Sequence, residues 1–168
     1  DENGKATLYT YDNHGELATV TDGGGNVTRY FRDEVGNLTG VRDPNGRTTT
    51  YEYDAEDRVA KKILPDGSYE QYTYDENGNL DTERLTDGNV NRYVYDDNDR
   101  QIRAEYYNGT VESYAYTPTG KRDTSTSSTG ITDYEYDALD RLTRITQPTG
   151  VVISYGYDAA DNITSITT

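Results

Sequence analysis

The chain has 168 residues with a formal net charge of -15, and it contains 18 tyrosines, one histidine and no cysteine, methionine or tryptophan. Without cysteine, neither a disulfide framework nor a cysteine-based metal site can form. The acidic balance argues against nucleic-acid binding, which needs clustered Lys and Arg, and no run of about 18 apolar residues predicts a membrane span.

The first five residues do not resemble a signal peptide. We therefore expect the chain to be a fragment of a longer protein, with any export signal outside it. Few large aliphatic side chains combined with this net charge are typical of intrinsic disorder. A prediction of folded structure must therefore rest on how the tyrosines are placed.

The tyrosines follow a repeat of 21 residues, Tyr-x-Tyr-Asp, in which one step is a residue shorter. In chain order the first tyrosines are Tyr9, Tyr30, Tyr51, Tyr72, Tyr93, Tyr114, Tyr134 and Tyr155. The second tyrosines are Tyr11, Tyr53, Tyr74, Tyr95, Tyr116, Tyr136 and Tyr157, with Arg32 in the remaining copy. The aspartates are Asp12, Asp33, Asp54, Asp75, Asp96, Asp137 and Asp158, with Thr117 in the remaining copy.

A second column consists of glycine alone, at Gly4, Gly25, Gly46, Gly67, Gly88, Gly109, Gly130 and Gly150. Its spacing places the missing residue between Gly130 and Tyr134. Self-similarity of this regularity is the signature of a repeat architecture and outweighs the compositional indication of disorder.

Each repeat contains two turn signals. One starts at the aspartate, whose side chain can form an Asx bond, and the other ends at the column glycine, which accepts positive φ. The five to seven residues between turns are rich in Tyr, Thr, Val and Ile, which favour strands. The repeat therefore predicts a β-hairpin, and the chain an all-β antiparallel meander of about 15 strands.

The two tyrosines of a repeat should lie on the same side of their strand, since side chains alternate with period 2. Threonines two residues earlier, such as Thr28 and Thr49, should join them, and Leu17 and its equivalents can pack beside them. A single hairpin is marginal in water, so neighbouring repeats must bury each other's faces. Because twist accumulates, we expect a curved or spiralling open strip.

A parallel β-solenoid with one coil per repeat is the alternative architecture. It would stack equivalent aspartates at about 4.8 Å, whereas a meander places them about 9.5 Å apart, two strands away. The solenoid spacing would bring like charges together without a compensating partner. We therefore favour the hairpin meander.

The signature Tyr-x-Tyr-Asp-x-x-Gly-Asn/Arg-Leu resembles the YD repeats, also called Rhs repeats. This family includes bacterial Rhs and wall-associated toxins, the shell components of Tc toxins, and teneurins. The resemblance implies a β-hairpin strip that forms a hollow shell around a C-terminal toxin, or an adhesion ectodomain, in a secreted or cell-surface protein. The terminal Asp-Pro-x-Gly core motif of bacterial shells is absent, since Asp43-Pro44-Asn45-Gly46 is a repeat turn.

No catalytic, cofactor-binding or metal-binding residue is predicted. His14 lies in a variable turn position, and the carboxylates of Asp96, Asp97 and Asp99 lie in an exposed turn where nothing should separate their pKa values. Residues 75–79 resemble the start of a calcium loop, but Leu80 and Thr86 occupy the positions of its glycine and its glutamate, although incidental cation binding stays open. The four glycosylation sequons, at Asn26, Asn37, Asn108 and Asn162, are interpreted as coincidence.

The predicted function is a non-catalytic structural segment, residues 1–168 being one repeat array within a larger shell protein. Its expected partners are further repeats in cis or in trans and a toxin cargo. The alternative is an adhesive or fibre-forming extracellular module, for which carbohydrate binding is a weaker possibility.

Tyr69, Tyr106 and Tyr107 lie outside the repeat columns and are the better candidates for surface contacts. Arg32 and Arg122 should mark weak packing or a contact with another element.

Overall fold

The computed structural model describes residues 6–168, so Gly4 lies outside the described part of the chain. These residues form strands and turns and no helix. The strands are β1 (Leu8–Tyr11), β2 (Leu17–Thr21), β3 (Val27–Arg32), β4 (Leu38–Arg42), β5 (Thr48–Tyr53), β6 (Val59–Ile63), β7 (Tyr69–Tyr74), β8 (Leu80–Arg84), β9 (Val90–Tyr95), β10 (Gln101–Glu105), β11 (Val111–Tyr116), β12 (Arg122–Ser127), β13 (Gly130–Tyr136), β14 (Leu142–Thr146), β15 (Val152–Tyr157) and β16 (Ile163–Thr167).

The fold is an all-β antiparallel meander, which confirms the predicted class with 16 strands instead of about 15. The order of the strands in the open sheet is their order in the chain. The pairings are antiparallel, from β1–β2 to β6–β7 and from β9–β10 to β15–β16. The parallel β-solenoid is therefore wrong, while the predicted curvature stays a prediction.

The contacts divide the chain into two compact units. The first contains the residues up to 73 together with 82–89, and thus β1 to β6 and nearly all of β7. The second contains residues 74–81 and 90–168, and thus β9 to β16. Within each unit the same hairpin is repeated with the same pairing.

Almost all turns share one construction. In the first of them, Gly15 N donates to Asp12 O at 3.1 Å and Asp12 N donates to Glu16 O at 2.8 Å, while Gly15 has φ +82°. A type I turn followed by a left-handed residue is a hairpin loop whose bulge matches the twist of the strands. The column glycines fill this left-handed position in the second turn of each repeat, with φ between 82° and 89°, at Gly25, Gly46, Gly67, Gly88, Gly109 and Gly150.

Gly130 is the exception and corrects one prediction. Ser127 pairs with Gly130, so β12 and β13 are joined by the two-residue loop 128–129. Gly130 opens β13 with φ +124° instead of closing a turn. The 20-residue step therefore arises because the stretch of chain that reverses direction between β12 and β13 is one residue shorter than the equivalent stretch of the other repeats.

The tyrosine pairs share one side of their strand, as the pattern predicts. In β5 and β7 the tyrosines are half-buried, whereas the residue between them, Glu52 or Thr73, is exposed. Within residues 6–168 no large side chain is fully buried; the most buried side chains are Ala104 at 0% and Asn91 at 6% exposure. Among the described residues, packing therefore depends on half-buried tyrosines, since no large side chain is fully buried.

Candidate functional site

The first feature is the aspartate that opens the turn after the second tyrosine. Oδ1 of Asp96 accepts hydrogen bonds from the backbone N–H groups of Asn98 and Arg100, both at 3.0 Å. The same pair of bonds, from residues two and four positions on, is made by Asp12, Asp33, Asp54, Asp75, Asp137 and Asp158. The predicted Asx bond is present, and a second backbone donor joins it.

The second oxygen of this carboxylate, Oδ2, accepts hydrogen bonds from an arginine side chain of the same turn. Nε and Nη2 of Arg100 donate to Oδ2 of Asp96 at 2.8 and 2.6 Å, and Arg141 binds Asp137 in the same way at 2.7 and 2.6 Å. The Arg100 and Arg141 hydrogen bonds hold the pKa of Asp96 and Asp137 below the usual value. In both pairs the two arginine nitrogens donate to one oxygen, and such charge-assisted hydrogen bonds are stronger than those between neutral groups.

The next feature joins successive repeats. The hydroxyl of Tyr53 donates at 2.9 Å to the carbonyl of Leu38, which opens the neighbouring strand β4. The second tyrosine makes the same bond from Tyr116 to Gln101 at 2.7 Å, from Tyr136 to Arg122 at 2.9 Å and from Tyr157 to Leu142 at 2.7 Å. The tyrosine and the carbonyl belong to different repeats. Each hydroxyl therefore links one aspartate turn to the aspartate turn of the preceding repeat.

Arg32 replaces the second tyrosine without losing this bond. Its Nη1 donates at 3.0 Å to the carbonyl of Leu17, which is the equivalent position in the preceding repeat. The guanidinium of Arg32 therefore supplies the donor that the phenol supplies elsewhere. Of the two alternatives raised by the sequence, Arg32 makes the contact.

A third set of bonds was not anticipated from the sequence. In four aspartate turns the left-handed position holds Asp instead of Gly, with φ from 58° to 64°, at Asp57, Asp99, Asp140 and Asp161. Each accepts a bond from the preceding turn: Asn37 to Asp57 at 2.7 Å, Asn79 to Asp99 at 2.8 Å, Thr119 to Asp140 at 2.9 Å and Arg141 to Asp161 at 2.7 Å. The only signal in the sequence is Asp at a position that favours glycine.

Arginine side chains also reach across repeats. The guanidinium of Arg100 lies 4.6 Å from the ring centre of Tyr116, and that of Arg141 lies 4.7 Å from Tyr157. The arginine that holds its own turn aspartate thus stacks on the second tyrosine of the next repeat, a favourable cation–π contact. We call these hydroxyl, aspartate and cation–π contacts at the aspartate turns the seam between repeats.

Arg122 is exposed at the start of β12 and makes a contact with the neighbouring strand, which is one of the two alternatives expected for it. Its guanidinium lies 4.2 Å from the ring centre of Tyr114, whose hydroxyl donates to Glu112 Oε2 at 2.6 Å. Burial and this hydrogen bond raise the pKa of Tyr114 to about 12. The copy that looks degraded in sequence is therefore held by a cation–π contact and a half-buried hydroxyl–carboxylate bond.

The RHS repeat family model matches residues 1–30, 32–69, 122–152 and 136–168, which together exceed half of the chain. The chain belongs to the RHS repeat family. The matched ranges leave out Phe31 and residues 70–121, yet the RHS turns at Asp75 and Asp96 are built like the others.

Solved structures share the fold of this RHS repeat array. A chain in the structure of the Photorhabdus luminescens Tc holotoxin pore matches 92% of this chain with a TM-score of 0.75 and 20% identity. A chain in the crystal structure of TcdB2-TccC3-Cdc42 matches 95% with a TM-score of 0.62 and 18% identity. This chain spans 10% and 11% of those two chains. No curated protein sequence matches it significantly.

The remaining candidates lie apart from the seam of the RHS repeats. His14 is exposed in its turn, and its backbone N–H donates to Asp12. Tyr69 lies between Lys61 and Arg84, at 4.5 and 4.3 Å from the ring centre. Of the off-column tyrosines, Tyr107 is the exposed one, at 55%.

Two features are absent from the described residues. Residues 6–168 contain no group of three or more His, Cys, Asp or Glu side chains arranged to hold a metal ion. In the same part of the chain, no helix has the length and apolar character to cross a membrane.

Proposed function

We propose that this RHS repeat array is a non-catalytic wall segment of a hollow β-shell, which encloses a C-terminal toxin or other cargo in a secreted or cell-surface protein. The observation that carries the proposal is the fold match to the Tc holotoxin chain over 92% of this chain. Residues 1–168 act as one array, and their partners are further repeats in cis. The columns of tyrosine, aspartate and glycine are its structural residues.

The distribution of polar contacts supports a wall. Hydroxyl, aspartate and arginine contacts recur from Leu17 to Asp161 at successive aspartate turns. They converge on no single location, whereas catalysis needs groups brought to one place. Each contact links a repeat to its neighbour, which is what continuity of a wall requires.

Protection of cargo tests the proposal. The parent protein, carrying a C-terminal epitope, is treated with a protease while the epitope is followed by immunoblot. If the array encloses cargo, the epitope region survives as long as the strands stay folded, and it is cleaved at the rate of a free segment after denaturation. Cleavage at the free rate in the native protein would contradict enclosure.

A matched pair of variants sharpens this test. Replacing Tyr53, Tyr116 and Tyr157 by Phe removes three hydroxyl bonds of the seam, and should accelerate cleavage of the epitope region. The control replaces Tyr51, Tyr134 and Tyr155 by Phe. Tyr51 and Tyr134 have no hydroxyl hydrogen bond within the described residues, and neither has Tyr155.

A second candidate function is a fibre-forming or adhesive module, favoured by the exposed outer strands. Leu8 and Tyr11 of β1 are each 62% exposed, and Ile166 of β16 is 61% exposed. Open strand edges invite association between copies. Light scattering over a dilution series tests this, since a monomer at every concentration contradicts it. Carbohydrate binding at Tyr107 is the weaker version, tested by glycan titration of Tyr107→Ala.

A further inference from the structure

Two arginines in the first unit face each other without a carboxylate partner. Arg29 of β3 and Arg42 of β4 are directly paired across the strands, so their side chains lie on the same face of the sheet. Within residues 6–168 neither guanidinium takes part in an ion pair, a hydrogen bond or a ring contact. In a chain with a net charge of -15, such an isolated cation pair needs an explanation.

The equivalent pairs in other repeats show that the arrangement is not imposed by the fold. At this register the partners are Leu8 and Thr21, Thr50 and Ile63, Arg92 and Glu105, Ser113 and Thr126, Asp133 and Thr146, and Ser154 and Thr167. None of these is a like-charge pair, and Arg92 with Glu105 is complementary. Like charges directly opposite destabilise a sheet, so Arg29 and Arg42 carry a cost that their equivalents avoid.

The contacts of Arg42 also differ from those of its equivalent two repeats later, Arg84. Arg84 lies over the ring of Tyr69 at 4.3 Å, and its Nη1 is 3.4 Å from the Tyr69 carbonyl. Arg42 extends over the turn that follows it as Arg84 does, since a Cβ built on Gly46 or Gly88 would lie 3.2 or 3.3 Å from the Nη2 of the respective arginine. Within residues 6–168, however, Arg42 makes neither the ring contact nor the carbonyl hydrogen bond of Arg84. Its donors therefore remain available to a ligand.

An open cavity of about 370 Å³ adjoins the two arginines. Its walls are the turns at Gly25 and Asp43–Gly46, with Arg29 and Arg42 between them. The carboxylate that lines it, Asp43, is already bound at 2.7 Å by both Nε and Nη2 of Arg47. The arginine pair therefore faces a cavity in which the carboxylate of Asp43 is already neutralised by Arg47.

We propose that Arg29 and Arg42 form an oxyanion-binding site, which accepts a carboxylate, sulfate or phosphate group of a ligand from outside this chain. The planar fork of each guanidinium matches the geometry of such groups and can donate two parallel hydrogen bonds. A bound anion removes the repulsion between the paired charges, and this offsets the unfavourable field of the acidic chain. The site is independent of the proposed wall function.

The test is a titration followed by NMR at the arginine Nε–Hε groups, with sulfate, inorganic phosphate and succinate in separate arms at constant ionic strength. Saturable shifts at Arg29 and Arg42, absent at the ion-paired Arg47, are expected. Saturation by sulfate and phosphate identifies a tetrahedral ligand group, and saturation by succinate identifies a carboxylate. Shifts that stay linear in all arms, or are equal at all exposed arginines, overturn the proposal.

Variants provide the second readout. Arg42→Thr introduces the residue found at the equivalent Thr126 and Thr146, so the hairpin should form, and the dissociation constant should rise at least about tenfold. Arg144→Thr removes the same charge from an arginine that pairs with Glu135 at 3.3 Å, and should change the constant less than about twofold. Equal effects of the two substitutions would show general charge screening and overturn the site.

Discussion

Removing one phenol oxygen from the seam should cost measurable stability. In Tyr53→Phe the hydroxyl that donates to Leu38 O at 2.9 Å is lost, while the ring and its packing remain. A hydrogen bond of this kind contributes about 0.5–1.5 kcal/mol net, and its loss leaves a half-buried carbonyl with a poorer partner. We therefore expect the free energy of unfolding to fall by about 1 kcal/mol.

The control lies two residues away in the same strand. Tyr51 is also half-buried in β5, and its hydroxyl makes no hydrogen bond within the described residues. Tyr51→Phe deletes the same atom and should change stability by less than about 0.5 kcal/mol, the usual range for a substitution that breaks no specific contact. The difference between the two variants isolates the inter-repeat bond from the general effect of losing a hydroxyl.

Urea unfolding followed by circular dichroism measures both variants. The midpoint should fall for Tyr53→Phe with an unchanged slope, because a changed slope would indicate a different denatured or native state. Adding Tyr116→Phe and Tyr157→Phe should give about 3 kcal/mol in total, since well-separated sites are additive. If Tyr53→Phe and Tyr51→Phe unfold at the same urea concentration, the hydroxyl bonds do not hold the repeats together.

Three further predictions follow from the same contacts. Asp99→Ala should destabilise more than Asp99→Gly, measured by the urea midpoint, because both lose the Asn79 bond but only alanine is strained at φ 58°. Asp96 and Asp137 should titrate below the ordinary aspartate pKa of 3.8 by carboxyl-carbon NMR. Their stabilisation is then complete above pH 3.8 and is lost as pH falls through the lower folded pKa. Tyr114 should titrate at about 12 by ring-carbon NMR, so stability is lost as pH rises from 10 through 12, and Glu112→Gln should lower that pKa.

The hairpin, its two turns and the shared side of the tyrosines could be predicted because each depends on short-range pattern. The Asx bond of Asp96, for example, joins residues two and four positions apart. The bond from Asn37 to Asp57 spans 20 residues and exists only once the strands adopt their register. Nothing in a single turn sequence distinguishes an Asp that accepts from a neighbour from one that merely tolerates positive φ.

The extent to which the tyrosine side chains are buried could not be predicted from the sequence for a related reason. The sequence indicated clusters of tyrosine and leucine, but the rings of Tyr9 and Tyr11 in β1 are 56% and 62% exposed. β1 is an outer strand of the described sheet with a neighbour on one side only, so its tyrosines stay open to water, whereas those of the inner strands β5 and β7 are half-buried. The phenol oxygen then becomes as important as the ring, because it can bond to a carbonyl of the neighbouring repeat.

The repeat that is one residue shorter shows at which end of the hairpin the contacts of the seam fix the length of the turn. The deletion falls in the loop between β12 and β13, at the end of the strands away from the aspartate turns. At the aspartate end the bonds are retained: Tyr136 reaches the Arg122 carbonyl across 14 residues instead of 15, and Thr119 still reaches Asp140. One residue can therefore be deleted from the second turn of a repeat, the turn of the column glycine, without breaking the contacts between repeats. The same deletion within an aspartate turn would remove the left-handed position that accepts the neighbouring side chain, and with it the link to the preceding repeat.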